Sequence, residues 1–238
     1  DCAKSNDITV LSLNGERKFL DTVYATSEHT WGILLALARR IPWATQSVNA
    51  GHWERDTFKG IELADHVLGL VGLGRVGSRL AKYARAFDMK VIGYDPYIPR
   101  EDWPVSVYRH QKLHDLLTES NVVSLHIILN DRNRYLIGHR EFACMQRGAL
   151  FVNTSRGELV NETSLIESLE SGQLGGAAID VICNERNITP DSPLIAYARC
   201  HNNLLILYSD ILIHWRNNCP KRCCYHNPTQ LVYIVTRT

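Results

Sequence analysis

Gly72, Gly74 and Gly77 stand in the spacing G-x-G-x-x-G within the stretch GLVGLGRVGSRLA. Such a triple suits the cradling of a pyrophosphate. The first glycine permits a tight turn, the second lets backbone approach the phosphates, and the third lets a helix pack closely on a strand. A helix starting there also directs its unbonded N–H groups and the positive end of its dipole at the phosphate oxygens. Glycine turns are common, so the spacing needs its context. Here HVLGLVG reads as a buried strand and RVGSRLAKYARAF as an amphipathic helix, which supply the strand–loop–helix setting. Asp95 ends the next strand, KVIGYD, where a carboxylate can bind the adenosine ribose hydroxyls. Its charge repels a 2′-phosphate, so NAD is the expected cofactor rather than NADP.

A second cluster lies in LLILYSDILIHWRNNCPKRCCYH, residues 204–226, which holds His214, Cys219, Cys223, Cys224 and His226. Zinc takes four Cys or His ligands, usually as two close pairs. Cys223 and Cys224 are adjacent and no C-x-x-C pair occurs, so no metal site is assigned. His126, ending an apolar strand, reads as a packed histidine. His29 and His52 read as structural or exposed, with no chemical role.

These residues need a frame to hold them. From about Ile61, apolar runs alternate with helical patterns. HVLGLVG, KVIGYD, NVVSLHII, ALFVNTS, LGGAAIDVI and NLLIL read as strands; RVGSRLAKYARAF, HQKLHDLLTES, HREFACMQ and NETSLIESLESG read as helices. Continuous apolar strands between helices imply a parallel sheet covered on both faces, an α/β, Rossmann-type doubly wound fold. In the last of these helices Asn161 is the expected N-cap, Leu165, Ile166 and Leu169 the apolar face, and Gly172 the stop. Further upstream, ATSEHTWGILLALARRIP reads as one long helix ended by Pro42.

Composition excludes several classes. The 238 residues carry 26 basic and 25 acidic side chains, a formal net charge of +1. That balance leaves no electrostatic footprint for nucleic acid or an anionic membrane. The apolar run around WGILLALA is too short to span a bilayer. Seven cysteines in a chain of this length do not form a small disulfide scaffold. A cytoplasmic globular protein is expected.

Three stretches narrow the reading. ATSEHTWGILLALAR, HVLGLVGLGRVGSRLAKYARAFDMKVIGYDPY, and SLHIILNDRNRYLIGHREFACMQRGALFVNTSRGELVNETSLIESLESGQLGGAAIDVICNE resemble the D-isomer-specific 2-hydroxyacid dehydrogenases, the family of D-3-phosphoglycerate dehydrogenase and hydroxypyruvate reductase. The likeness runs in register from Asp1 to about Leu207. It implies reversible hydride transfer between nicotinamide and a 2-hydroxy or 2-keto acid. It places Arg156 as the catalytic arginine, paired with the substrate carboxylate, and Glu185 as the carboxylate that holds the catalytic histidine. Asp180 falls beside the nicotinamide carboxamide, Thr154 and His126 along the nicotinamide side, and Arg75 and Val76 in the pyrophosphate loop. The resemblance also implies a homodimer, built on the helix TSEHTWGILLALARR and the loop with Trp53.

Two departures accompany it. The resemblance implies that the chain starts within the segment returning from the family's substrate domain, its first ~10 residues a remnant of that connection, and that most of the substrate domain is missing, either because the sequence is a fragment or because the protein has lost that half. The expected NAD-binding domain is residues 1–207. Aligning Asn203–Ile206 with the family's strand puts Leu207, Tyr208 and Ser209 where Thr, Pro and His are expected. His201 and His214 do not match, so no catalytic histidine is assigned. Codons allowed for His214–Thr229, read one base over, can encode a stretch like the family's Gly-Gly turn and following helix. Residues 208–238 are accordingly read as an atypical tail, either in a displaced frame or disordered. The competing function is a non-catalytic, NAD-binding corepressor-like interaction protein, which would keep the glycine loop without the histidine.

Overall fold

The computed structural model describes residues 9–12, 17–54, 56–206 and 232–235. In chain order the elements are β1 (Thr9–Ser12), α1 (Arg17–Leu20), α2 (Ala25–Ala38), α3 (Ile41–Asn49), β2 (Val67–Val71), α4 (Arg75–Ala86), β3 (Lys90–Tyr94), β4 (Tyr108–Arg109), α5 (Leu113–Glu119), β5 (Val122–Leu125), α6 (His139–Cys144), β6 (Ala149–Asn153), α7 (Glu162–Glu170), β7 (Leu174–Ile179), α8 (Pro193–Cys200), β8 (Leu204–Ile206) and β9 (Val232–Val235). Two compact units result, Asp1–Ala25 with Asp210–Thr238, and Thr26–Ser209. In the first, β1 pairs antiparallel with β9, Thr9 opposite Val235.

The second unit is built on a seven-stranded sheet of order β4-β3-β2-β5-β6-β7-β8, with every pairing parallel. Its strands are apolar at successive positions because both faces are covered. In β6, Phe151 enters one core while Leu150 and Val152 enter the other; in β2, Val71 is opposed to Leu68 and Leu70 in the same way. One core takes Leu116 and Leu117 of α5, Phe142 of α6, Leu165 and Leu169 of α7, and Leu194 and Tyr197 of α8. The other takes Trp31, Leu34 and Leu37 of α2 with Leu80, Ala81 and Ala84 of α4. In α4 the buried positions Gly77, Leu80, Ala81 and Ala84 follow the spacing of one helical face. Each buried Leu or Phe contributes roughly 1.5–3 kcal/mol.

Strand order fixes where a ligand can lie. From β2 the chain builds outward through β3 to β4, then returns to pair β5 on the other side of β2. At this reversal the connections leave the sheet in opposite directions, opening a crevice outside the carboxyl ends of β2 and β5.

The expected strands and helices after Ile61 are all present, with shorter ends. Asn161 caps α7 by accepting the Ser164 N–H at 2.9 Å, and Gly172 follows the helix at φ 68°. Three features differ from expectation. Pro42 does not end the long helix: α2 stops at Ala38, Arg40 turns through a left-handed φ of 54°, and Pro42 sits in the first turn of α3. Proline suits that place because first-turn N–H groups have no intrahelical acceptor to lose. Strand β5 ends at Leu125, which puts His126 in the following loop. Helix α8, in PLIAYARC, was not marked by the apolar pattern.

Candidate active site

Gly72 leaves β2 with φ 94°, and a Cβ there would come 2.4 Å from the His126 carbonyl oxygen. A Cβ on Gly77 would come 2.1 Å from the Gly72 carbonyl oxygen. The first and third glycines therefore let β2, α4 and the β5 loop close on one another. Gly74 differs: nothing stands within 4 Å of its Cβ position. Its open face lies at the N-cap of α4, ahead of Arg75 and Val76, whose N–H groups have no intrahelical acceptor. A helix start with open space beside it can admit an anion such as a pyrophosphate, and a side chain at residue 74 would enter that space.

Asp95, just past β3, is held rigidly. Its Oδ2 accepts the Leu73 N–H at 3.0 Å and its Oδ1 the Tyr97 N–H at 2.9 Å. A carboxylate has about four acceptor sites, so ribose hydroxyls can still bind. The acid thereby ties the glycine loop to the end of β3.

Beyond the loop, the ends of β5, β6 and β7 carry the other candidates. His126 donates its backbone N–H to Val71 at 2.7 Å, and Ser124 Oγ lies 2.8 Å from its Nε2. Burial pushes its pKa down to about 3, so the ring is neutral at ordinary pH. Thr154 Oγ1 lies 2.9 Å from Thr30 Oγ1. Asp180 is aligned by its backbone N–H on the Asn153 carbonyl at 3.0 Å, and its Oδ1 lies 3.1 Å from His29 Nε2. His29 has no role by sequence, yet the fold sets it against a predicted site residue. No local pattern signals the contact, because α2 and β7 are far apart in the chain.

Arg156 and Glu185 sit on two loops locked together. Asn153 turns back on the first, its Oδ1 accepting the Ser155 N–H at 3.0 Å and its Nδ2 donating to the Arg156 carbonyl at 2.9 Å. Ser155 Oγ donates to the Leu125 carbonyl at 2.6 Å. A Cβ on Gly157 would stand 2.1 Å from the Ile182 carbonyl carbon, so this loop and the one carrying Glu185 meet backbone to backbone. Burial raises the Glu185 pKa above its ordinary value, the Glu158 charge adds to this, and the Arg156 guanidinium opposes it. At Cys183, burial and the charges of Glu162 and Glu158 push the thiol up to about 12, which favours the protonated form.

Among the described residues, no group of three or more His, Cys, Asp or Glu side chains could hold a metal ion, and no helix is long and apolar enough to cross a membrane. The His/Cys stretch 214–226 and the positions Leu207, Tyr208 and Ser209 lie outside the described residues.

Comparison with known proteins agrees with this geometry. Residues 31–206 match the model of the D-isomer specific 2-hydroxyacid dehydrogenase, NAD binding domain. D-3-phosphoglycerate dehydrogenase of Methanocaldococcus jannaschii is 41% identical over 172 residues, covering 72% of this chain and 32% of that protein. Hydroxypyruvate reductase of Thermotoga maritima is 39% identical over 179 residues, covering 75% and 56%. The crystal structure of D-lactate dehydrogenase from Aquifex aeolicus, complexed with NAD and lactic acid, superposes with a TM-score of 0.70 at 28% identity, covering 80% of this chain and 62% of that one. The chain thus spans about a third to somewhat over half of these curated relatives. With its glycine loop between strand and helix and its parallel sheet, the chain belongs to the D-isomer-specific 2-hydroxyacid dehydrogenase family and carries that family's NAD-binding domain, with NAD as cofactor.

Proposed function

We propose that this chain is the nucleotide-binding part of an NAD-dependent oxidoreductase that interconverts a D-2-hydroxy acid and its 2-keto acid. The observation that carries the reading is the locking of the Arg156 and Glu185 loops at Gly157, beside the end of the strand array that begins at the glycine cradle. NAD supplies the hydride acceptor when bound; the chain's own residues orient it and bind substrate. Gly72, Gly74, Arg75, Val76 and Gly77 hold the pyrophosphate, and Asp95 the adenosine ribose. His126, Thr154 and Asp180 line the nicotinamide side. Arg156, an always-charged planar fork, pairs with the substrate carboxylate and polarises the reacting carbonyl. Glu185 is the acceptor that steadies a histidine moving the proton.

The nucleotide domain is placed at residues 1–207, a range that the compact unit Thr26–Ser209 largely covers, while Asp1–Ala25 falls in the other unit. A cytoplasmic homodimer is the proposed state, with Trp53, 78% exposed after α3, supplying part of the contact. Incubating purified protein with NADH and glyoxylate or hydroxypyruvate, and following absorbance at the reduced nicotinamide band, tests the activity. Turnover that disappears in Arg156→Leu supports the assignment. Tight NADH binding with no turnover on any 2-keto acid favours the non-catalytic alternative instead.

A further inference from the structure

Two consecutive residues of α2 each hold one strand end at the nicotinamide side of the crevice. His29 Nε2 lies 3.1 Å from Asp180 Oδ1 just past β7, and Thr30 Oγ1 lies 2.9 Å from Thr154 Oγ1 just past β6. Both contacts are sheltered: the His29 and Asp180 side chains are 21% and 9% exposed, and Thr30 is buried. Thr30 donates its single hydroxyl hydrogen to the Thr26 carbonyl at 2.7 Å. It therefore accepts from Thr154, and the direction of that bond is fixed. A carboxylate oxygen accepts, so His29 Nε2 is the donor in the other contact.

The sheet explains what these strand ends face. A dinucleotide anchored at Asp95 past β3 and crossing the Gly74 cradle at the end of β2 runs on over β5, β6 and β7. From β2 to β7 is three strand spacings, about 14 Å. The group arriving there is the nicotinamide, whose carboxamide NH2 is a donor and needs an acceptor in a fixed plane.

We propose that His29 is a positioning residue for cofactor binding: its Nε2–H orients the Asp180 carboxylate so that this acid accepts the nicotinamide carboxamide N–H and fixes which face of the ring is presented for hydride transfer. The inference rests on the proposed placement of Asp180 beside the nicotinamide. His29 touches neither cofactor nor substrate; it acts through Asp180. The Thr30–Thr154 bond holds the neighbouring strand end in the same way, so α2 braces the nicotinamide half of the site while α4 serves the phosphate half.

The test compares NADH with ADP-ribose, which shares the adenosine and pyrophosphate but has no nicotinamide, by calorimetry on the full chain. In His29→Leu, NADH binding is expected to weaken about tenfold, the scale of one hydrogen bond to a charged group. ADP-ribose binding should stay within about twofold, and His29→Gln, which restores a donor near the Nε2 position, should recover most of the NADH affinity. Unchanged NADH binding in His29→Leu, equal weakening of both ligands, or no recovery in His29→Gln overturns the proposal. Asp180→Ala separates the two levels: wild-type NADH affinity in that variant removes Asp180 from the nicotinamide site and defeats the underlying placement, whatever His29 does.

Discussion

Gly157 presses on Ile182 so closely that a Cβ at residue 157 would stand 2.1 Å from the Ile182 carbonyl carbon and 2.3 Å from its oxygen. Both atoms are backbone, so no side chain can swing away to make room. This contact sets the spacing between the Arg156 loop and the Glu185 loop. Gly157→Ala is expected to lower stability by about 1–3 kcal/mol through overpacking and to depress turnover more than NADH binding. Thermal unfolding and parallel binding and rate assays check this; an unchanged melting temperature would show that the loops separate freely.

The three glycines of the cradle should separate into two kinds. Gly74 has open space around its Cβ position and a φ of −65° that any residue adopts, so Gly74→Ala should fold normally. It should nevertheless weaken NADH binding at least tenfold, because the methyl occupies the space a pyrophosphate needs. Gly77→Ala meets the Gly72 carbonyl oxygen at 2.1 Å and should lose stability as well as affinity. Circular dichroism melts and NADH titrations of the pair distinguish the two. Equal melting temperatures would refute the packing role given to Gly77.

Asp95 holds the loop through the Leu73 N–H and, in the proposed reading, binds the adenosine ribose as well. Asp95→Asn keeps the shape, removes the charge, and leaves only one acceptor oxygen for the Leu73 and Tyr97 N–H groups that now engage both. The NADPH-to-NADH affinity ratio should rise, since repulsion of a 2′-phosphate is gone, while NADH itself binds more weakly. Paired titrations read the ratio directly. A ratio that does not move would place the selectivity elsewhere.

His126 gives stability a particular acid limit. Its pKa is about 3 in the folded chain and near the ordinary 6.5 when unfolded, because burial disfavours the imidazolium. Between those values the unfolded state binds the extra proton, so stability falls as pH drops through 6.5 and goes on falling towards 3, by at most about 1.4 kcal/mol per pH unit. His126→Gln removes this dependence. Urea unfolding of both proteins at pH 7, 6, 5 and 4 should show a steeper decline in the wild type. Parallel declines would mean that the ring accepts a proton in the fold.

The glycine loop, Asp95 and the strands were legible because their signals are local: spacing, apolar continuity and a strand-ending acid. Arg156 and Glu185 were reached only through resemblance, since an arginine after a strand and a glutamate in a loop look like surface residues until Gly157 brings their loops together. His29 and Thr30 were not legible at all. Their partners, Asp180 and Thr154, come from other strands, and a helical histidine carries no mark of what it will face. Pro42 misled for a physical reason: proline both stops a helix and opens one, and only the left-handed Arg40 before it decides which.

Glu185 offers a test of whether the site is held at a cost to the fold. Burial and the Glu158 charge raise its folded pKa above the ordinary value, so the carboxylate is strained when ionised. For a raised carboxylate the folded state binds the proton more tightly; its stabilising contribution is present at pH below the unfolded value and is lost as pH rises through the folded one. Glu185→Gln should therefore melt higher than wild type at pH 7 and converge with it below about pH 4, where both side chains are neutral. The same variant should lose turnover, because the amide cannot stabilise a charged histidine as a carboxylate does. Removing the opposing cation should act the other way: Arg156→Leu makes the ionised Glu185 costlier and should lower stability at pH 7 unless Glu185→Gln is also present. A double-mutant cycle measured by thermal unfolding reads this coupling. Additive effects would show that the two loops, though pressed together at Gly157, keep their charges independent.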